Sequence, residues 1–403
     1  MSLVKLPDDV AITGNSKILL LILDGLGGIQ HPHFGKTELQ AARKPNLDRL
    51  ASESVCGVLD PVAPGITPGS GPSHMALFGY DPIECNIGRG VLSALGVDFH
   101  LTEKDLAARV NFATVDEVGN VVDRRAGRIS SETNGRLCSK LARLVELPHD
   151  ARLFIQTESE HRAVVVFRGE GLSGAISDTD PQRVGVPPEK PEALSQEAKK
   201  SSEIVSSFLK QASEILTDEY PANAILLRGF ATQRPFKSFY DRFKLKAAAV
   251  AKYPMYRGLA RLIGMEVLPA CEDMDAEIDL IGKELQSFDF FYIHVKKTDS
   301  HGEDGKFEDK VKTIELVDSK IPLLLALSPD VLVVTADHST PSALKAHSWH
   351  PVPVLLWAKT CRVDDVVSFD EISCAKGGIG RMPMVHLMSL VLAHAGRLTK
   401  YGA

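Results

Sequence analysis

The amino-acid sequence predicts an α/β protein in which a sheet lies between helices and a second, α+β domain is inserted into the sheet domain. Apolar runs that end in Asp24 and in Asp337-His338 are typical of buried strands in parallel sheets. Strand and helix patterns alternate near both termini, whereas hairpin patterns occupy the middle of the chain. A chain of 403 residues also favours two domains over a single core.

The first hundred residues alternate between strand and helix patterns. Residues 17–23 predict a strand that ends at Asp24, and residues 44–50 open a helix with apolar residues at helical spacing. The stretch 61–72 is rich in Gly, Pro, Ser and Thr, so it predicts a loop that leads into a helix around His74.

The middle of the chain has a different pattern. Residues 110–123 predict a β-hairpin with Gly119-Asn120 at its turn, and residues 152–168 predict another strand pair. A proline-rich link at 186–191 leads into a helix from about residue 195 to 216.

After about residue 250 the α/β alternation returns. Strands are predicted at 288–295, 331–335 and 353–357, and a final helix at 384–395. We therefore predict a sheet domain split between residues 1–105 and 250–403, with an inserted substrate-binding domain at 106–249.

Composition and charge exclude several classes of partner. The formal net charge of -6 argues against a broad nucleic-acid-binding face. The six cysteines are scattered without a C-x-x-C pair, which indicates a reducing compartment rather than a disulfide framework. The first residues lack the apolar stretch of a signal peptide and no apolar run approaches membrane-spanning length, so we expect neither a signal peptide nor a membrane-spanning segment. We expect a cytoplasmic protein with no nucleic-acid or membrane partner, and its oligomeric state stays open.

The strand ends carry candidate metal ligands. Asp24, Asp337 and His338 directly follow predicted strands and offer oxygen and nitrogen donors to one divalent ion. Because ligands bind outside the carboxyl ends of strands in open parallel sheets, residues far apart in sequence can meet at one site.

Ser70 is a candidate nucleophile. It lies between Gly69 and Gly71 just before a predicted helix, where the backbone can bend sharply and a helix N-terminus favours phosphate. The alternative is a turn with an N-capping serine. The partners of a hydrolase triad are not evident, so a metal ion is the better activator of the hydroxyl.

A second group of metal ligands is predicted downstream. Asp299 and Glu303 are spaced i, i+4 and face one point if their segment is helical, whereas His301 between them points elsewhere. His347 and His350 precede a strand and either could supply a ligand. The alternatives are a solvated acidic loop and structural histidines.

The inserted domain concentrates guanidinium groups. Arg124, Arg125 and Arg128 surround Asp123, and arginine forks suit the carboxylate and phosphate of a small anionic substrate. Asp123 is a candidate catalytic base or a plain salt-bridge partner. Further along, Lys252 is a candidate catalytic residue and Arg257 a candidate phosphate contact, with a solvated helix face as the alternative for both.

The order of these motifs resembles the alkaline phosphatase superfamily, and within it the archaeal-type family of cofactor-independent phosphoglycerate mutases. The resemblance covers nearly the whole chain. Besides the residues above, it includes the segments at 78–82, 111–115, 123–128, 253–258 and 395–402.

The resemblance implies an alkaline-phosphatase-like sheet between helices and a phosphoserine formed at Ser70. It implies two divalent ions, with manganese favoured and magnesium, cobalt or zinc as alternatives. One ion would be held by Asp24, Ser70, Asp337 and His338, and the other by Asp299, His347 and a third ligand. Many family members have His where this chain has Glu303, so Glu303, His301 and His350 all stay open as that ligand.

The implied activity is that of an isomerase, which interconverts 3-phosphoglycerate and 2-phosphoglycerate in glycolysis and gluconeogenesis without bisphosphoglycerate. Three alternatives stay open: a metal-dependent phosphatase, another phosphomutase such as a phosphopentomutase, and a catalytically silent protein that binds metal or a phosphometabolite.

Overall fold

The computed structural model describes residues 7–85, 87–233 and 236–402. The chain divides into two compact units. The first comprises Met1–Asn86, Phe236–Tyr253 and Leu259–Ala403, and the second comprises Ile87–Pro235 and Pro254–Gly258. Among the described residues no helix is long and apolar enough to cross a membrane.

The described residues form strands and helices in alternation. The strands are β1 (Ile18–Leu23), β2 (Val55–Asp60), β3 (Asp105–Val115), β4 (Val121–Asp123), β5 (Arg152–Ser159), β6 (Arg162–Arg168), β7 (Ala224–Thr232), β8 (Ala247–Val250), β9 (Glu266–Val267), β10 (Phe290–Val295), β11 (Val331–Thr335), β12 (Val352–Ala358) and β13 (Gly380–Pro383). The helices are α1 (Pro7–Val10), α2 (Glu38–Ala41), α3 (Pro45–Ser52), α4 (Ser70–Leu77), α5 (Arg89–Gly96), α6 (Ser131–Leu144), α7 (Lys199–Leu216), α8 (Phe239–Phe243), α9 (Pro254–Leu262), α10 (Met274–Glu284), α11 (Lys297–Glu303), α12 (Phe307–Ala326), α13 (Glu371–Cys374) and α14 (Leu387–His394).

The first unit is built on an eight-stranded sheet of the described residues, in the order β13-β2-β12-β11-β1-β10-β8-β9. The central strand β1 is entirely buried, and so is β11 beside it. The neighbours β10 and β11 both run parallel to β1, whereas β12 runs antiparallel to β11 and β2. The predicted α/β fold class is therefore confirmed, with one reversed strand.

The second unit is a five-stranded antiparallel sheet covered by helices. Its strand order is β4-β3-β6-β5, with β7 also paired to β3. Apolar side chains of α6 and α7, including Leu137 and Phe208, pack with Phe112 and Phe167 from the sheet. The predicted hairpin, the predicted strand pair and the helix after the proline-rich link all lie in this unit, whereas β7 was not predicted.

The unit boundaries differ from the predicted insertion at 106–249. Helix α5 precedes residue 106 but packs on the second sheet, where a Cβ at Gly90 would lie only 2.1 Å from the carbonyl oxygen of Ala107. Strand β8 precedes residue 250 but pairs with β10 in the first sheet. Both boundaries therefore follow sheet membership, which local sequence patterns do not reveal.

Candidate active site

Strand order brings the first predicted ligands to one edge of the sheet. Strand β1 ends at Leu23, which is paired with Val295 at the end of β10, and Ile22 is paired with Thr335 at the end of β11. Asp24 follows β1, Asp299 lies in the helix that follows β10, and Asp337-His338 follow β11. Because the three strands are parallel neighbours, their ligand-bearing ends meet.

His347 reaches the same edge from the opposite strand direction. It precedes β12, which is antiparallel to β11. The beginning of β12 therefore lies beside the end of β11. The imidazole rings of His338 and His347 are stacked, with their centroids 3.7 Å apart.

One ligand group consists of Asp24, Asp337 and His338, all fully buried. Nε2 of His338 lies 3.1 Å from Oδ2 of Asp337 and 3.4 Å from Oδ1 of Asp24. The Ser70 hydroxyl lies 3.4 Å from the same nitrogen. Gly69, not Ser70, occupies the N-cap position of α4 and Ser70 is the first helical residue, so the N-capping alternative is wrong.

The other ligand group consists of Asp299, His347 and, again, His338. Nε2 of His347 lies 3.7 Å from Oδ1 of Asp299 and 3.8 Å from Oε1 of Glu303. The predicted helical turn is confirmed by α11, which presents Asp299 and Glu303 toward this imidazole. The side chain of Glu303 is 55% exposed.

The two other candidate histidines lie outside both groups. His301 is in neither ligand group found among the described residues. His350 stacks on Trp349, and its Nδ1 lies 3.0 Å from the Ser348 hydroxyl. Glu303 is also in neither group, but its Oε1 lies 3.8 Å from Nε2 of His347, a distance that an ion could bridge, so we retain it as the candidate for the last ligand.

The donor set fits divalent metal ions. It combines carboxylate oxygens with imidazole nitrogens and contains no thiolate, which suits ions from magnesium and manganese to zinc. Nδ1 of His347 lies 3.0 Å from the carbonyl oxygen of Pro68. Because a carbonyl only accepts hydrogen bonds, Nδ1 carries the proton and Nε2 is left with the lone pair that a metal requires.

Negative charge accumulates at this site. Burial raises the pKa of Asp337 well above its usual value, and the charges of Asp24 and Asp299 raise it further. Lys296 lies between the groups, with Nζ 3.0 Å from Oδ2 of Asp24 and 2.6 Å from Oδ2 of Asp299. Although burial opposes its charge, these carboxylates raise the pKa of Lys296. The site is therefore arranged for positive charge.

Two buried histidines contact carboxylates of the first ligand group. Nδ1 of His74 lies 2.9 Å from the carbonyl oxygen of Ser70 and 3.2 Å from Oδ2 of Asp337. Burial lowers the pKa of His74 to about 4, so the ring is neutral. Nε2 of His294 lies 3.2 Å from Oδ2 of Asp24. Sequence reasoning missed Lys296, His74 and His294 as site residues, although the i, i+4 spacing of Ser70 and His74 was available as a signal.

The second unit contains a cavity of about 420 Å³ lined by seven arginines. They include the predicted Arg124, Arg125 and Arg128, together with four that the sequence did not single out: Arg89, Arg109, Arg162 and Arg228. Nε is buried without a hydrogen-bond partner among the described residues in Arg109, Arg162 and Arg228. Arg109 and Arg228 each have a carboxylate oxygen 3.8 Å from Nε, too far for a hydrogen bond. Guanidinium N–H groups without a hydrogen bond in a cavity favour an anionic ligand.

Asp123 and Arg124 have partners within the second unit. The two carboxylate oxygens of Asp123 accept hydrogen bonds from the backbone N–H groups of Arg125 and Gly127, at 2.8 and 2.6 Å. Asp123 therefore holds the turn that presents the arginines. Arg124 donates two hydrogen bonds to Asp180, at 2.8 and 2.6 Å, which neutralise part of the positive charge.

The last two candidates lie near residue 255. The exposed Lys252 donates to the carbonyl oxygen of Glu272 and lies 3.8 Å from Oε1 of Glu277. Burial raises the pKa of Glu277 to about 7. Arg257 is partly buried in α9.

The sequence has close relatives. A family model described as 2,3-bisphosphoglycerate-independent phosphoglycerate mutase matches residues 51–223. A protein of Thermus thermophilus named as a probable member is 51% identical over 391 residues, which cover 96% of each chain. One of Thermotoga neapolitana, with the same name, is 50% identical over 400 residues and covers 99% of each chain.

Two solved structures resemble the whole chain. The PH0037 protein from Pyrococcus horikoshii has a TM-score of 0.81 at 31% identity, covering 97% of this chain and 100% of its own. The cofactor-independent phosphoglycerate mutase from Thermoplasma acidophilum has a TM-score of 0.76 at 31% identity, covering 94% of this chain and 100% of its own.

Proposed function

This chain belongs to the 2,3-bisphosphoglycerate-independent phosphoglycerate mutase family, and we propose that it interconverts 3-phosphoglycerate and 2-phosphoglycerate through a phosphoserine at Ser70. The observation that supports this mechanism most is the position of the Ser70 hydroxyl. Ser70 is the first residue of α4, and its hydroxyl lies 3.4 Å from Nε2 of the proposed ligand His338. No hydrolase triad is needed if that hydroxyl is activated by the same ligand group.

Two divalent ions held by the ligand groups would lower the pKa of the Ser70 hydroxyl and neutralise phosphoryl charge. Asp24, Asp337 and His338, with the Ser70 oxygen, would hold one ion, and Asp299, His347 and Glu303 would hold the other. Manganese is our favoured ion, because the four carboxylates suit manganese and magnesium better than zinc and the two imidazoles suit a transition metal.

In the proposed reaction the Ser70 oxygen attacks the phosphorus of 3-phosphoglycerate. The Oγ–P bond forms, the bond from phosphorus to the C3 oxygen breaks, and that oxygen takes up a proton. The C2 hydroxyl of the bound glycerate then loses its proton and attacks the phosphoserine, which releases Ser70. Ser70 would react as the alkoxide, with its proton already lost to solvent. Asp123 is our proposed acid and base: it gives its proton to the C3 oxygen and then takes the proton of the C2 hydroxyl. Lys252 is our proposed catalytic contact to the phosphate. The enzyme would act in the cytoplasm, in glycolysis and gluconeogenesis.

The arginine-lined cavity supports a small substrate with more than one negative charge. Arg124, Arg125 and Arg128 are proposed to bind the glycerate carboxylate or the phosphate, and Arg257 to assist. Arg109, Arg162 and Arg228 line the same cavity and are proposed to bind the same anion.

The test of the proposed function is an enolase-coupled assay on 3-phosphoglycerate without added bisphosphoglycerate, with the purified protein and manganese. We expect steady formation of 2-phosphoglycerate and little release of inorganic phosphate. Phosphate release without isomerisation would identify a phosphatase instead, and turnover of pentose phosphates alone would identify another phosphomutase. Absence of any turnover would leave a binding protein.

Replacement of Arg162 by glutamine should weaken substrate binding without weakening the fold. A hydrogen bond to a charged group contributes about 1.5–3 kcal/mol, so we expect KM to rise roughly 10- to 100-fold. Arg162 lies near other arginines and one of its nitrogens is unpartnered, so the free energy of unfolding should stay equal or rise. Arg152→Gln, in the exposed end of β5, is the matched control. An unchanged KM in Arg162→Gln would contradict the assignment.

Replacement of Glu303 should change the second ion selectively. We expect Glu303→Ala to bind one manganese ion tightly and the other at least about tenfold more weakly, because one of three ligands is lost. Glu303→His should keep two ions and shift preference toward zinc, since imidazole is a softer ligand than carboxylate. Metal content after dialysis measures both. Two tightly bound ions in Glu303→Ala would point to a different ligand.

A further inference from the structure

Thr340 contacts both ligand groups through one hydroxyl. It lies two residues beyond His338 and is fully buried. Its Oγ1 is 2.6 Å from Oδ1 of Asp299 and 2.9 Å from Nδ1 of His338. His338 belongs to both ligand groups, but its Nε2 faces Asp24 and Asp337, whereas Asp299 belongs to the group of His347. A single side-chain oxygen therefore contacts a ligand of each proposed ion.

The direction of each hydrogen bond follows from the donors available. A threonine hydroxyl has one hydrogen, and an ionised carboxylate only accepts, so the hydroxyl donates to Asp299. The hydroxyl must then accept from Nδ1–H of His338. This leaves the lone pair of His338 on Nε2, the nitrogen that faces Asp24, Asp337 and Ser70. The threonine therefore selects the ligating tautomer.

The position of Thr340 is fixed by the surrounding backbone. Its N–H lies 3.2 Å from the carbonyl oxygen of Gly25 and 3.1 Å from that of Gly27. The buried ammonium of Lys310 donates to the carbonyl oxygens of Thr340 and Gly25, at 2.9 and 2.8 Å. Thr340 is thus tied to the loop that carries Asp24.

Two glycines make room for this residue. A Cβ at Gly25 would lie 2.6 Å from Oγ1 of Thr340, and Gly25 also has a positive φ of 65°. A Cβ at Gly302, in the helix that carries Asp299, would lie 2.2 Å from the carbonyl oxygen of Thr340. Close approach from both sides holds the hydroxyl between the ligand groups.

We infer that Thr340 is a positioning residue that couples the two metal sites, and this inference rests on the proposed two-metal function. It orients Asp299 for one ion and sets the tautomer of His338 for the other. Loss of the hydroxyl therefore weakens both sites together, although Thr340 supplies no ligand to either.

The test compares Thr340→Val, which keeps the shape and removes the hydroxyl, with Thr340→Ser, which keeps the hydroxyl. Thr335→Val is the matched control, because the hydroxyl of Thr335 is also buried but donates to the carbonyl oxygen of Pro353 at 2.8 Å. Calorimetric titration with Mn²⁺ gives the number of ions and the affinity of each. We expect both affinities to fall about 10- to 100-fold in Thr340→Val. Thr340→Ser and Thr335→Val should each stay within about threefold of the wild type.

Equal Mn²⁺ affinities in Thr340→Val and the wild type would overturn the inference and leave the proposed function intact, and so would weakening of one site alone. Failure of the wild type to bind Mn²⁺ would instead overturn the metal mechanism itself. If Thr340→Val does not fold, ¹⁵N NMR of the metal-free wild type decides the matter. We expect His338 to carry its proton on Nδ1, and a proton on Nε2 would overturn the inference.

Discussion

Ser70→Ala is expected to abolish interconversion of the two phosphoglycerates, with a loss of about 10⁴-fold or more in kcat, because the hydroxyl is the proposed site of the covalent bond. All ligands of the second ion remain in this variant, and so do Asp24, Asp337 and His338 at the first, so the thermal stability and the second ion should be retained. Acid-quenched wild type incubated with ³²P-labelled substrate should carry label on Ser70, and the variant should carry none.

Ser73→Ala is the matched control for this variant. Ser73 lies in the same helix and its hydroxyl bonds to the carbonyl oxygens of Gly69 and Ser70, at 3.0 and 3.1 Å. The substitution removes the same atom a turn away from the reacting group. Substantial turnover in Ser70→Ala, or equal losses in both variants, would contradict a phosphoserine mechanism.

Removal of divalent ions should have the second large effect. We expect the chelated protein to lose more than about 100-fold in activity, because the proposed activation of Ser70 and the neutralisation of phosphoryl charge both need the ions. Without the ions, Lys296 offsets only part of the negative charge of Asp24 and Asp299, and the raised pKa of Asp337 shows that its charge is costly there, so stability should fall as well. A ligand present at 100 times its Kd stabilises the folded state by about 2.7 kcal/mol, which thermal unfolding detects readily.

Stepwise addition of ions checks this expectation. Manganese, magnesium, cobalt and zinc are added singly to the stripped protein, and activity and the unfolding temperature are followed together. In Asp337→Asn the added ions should no longer restore activity, because the site beside Ser70 has lost a ligand. Asp304→Asn changes an exposed carboxylate paired with Lys306, so its activity and unfolding temperature should rise with added ions as in the wild type. Full activity of the stripped protein in the presence of chelator would contradict the metal mechanism.

The first ligand group could be predicted from sequence because its ligands lie within three residues of the end of a predominantly apolar strand. The apolar runs of β1 and β11 predict buried strands, and both strands are buried at every residue. His347 was harder to place, since its arrival at the same edge depends on the reversed direction of β12. No local sequence pattern shows that Lys296, His294 and Thr340 contact the ligands. Their contacts with Asp24 or Asp299 form only in the folded chain.

The arginines of the cavity show the same limit. Strand β7 was missed because its apolar run is interrupted by Arg228-Gly229. In the sheet, Arg228 is the direct cross-strand partner of Arg109, and Arg162 is the partner of Asn111. Like charges directly opposite one another are unfavourable. The arginines therefore come together because of the strand register. Their mutual repulsion costs stability, and a bound anion would offset that cost.

The strand order of the first unit also has a consequence for synthesis on the ribosome. Strand β1 is the apolar segment Ile18–Leu23, but its two neighbours, β10 and β11, are made only after the whole second unit has emerged. The second unit contains its own sheet and core, so it can fold before β1 has a neighbouring strand with which to form backbone hydrogen bonds. We expect nascent chains to need chaperone protection of this segment and to acquire metal only after β12 has left the exit tunnel.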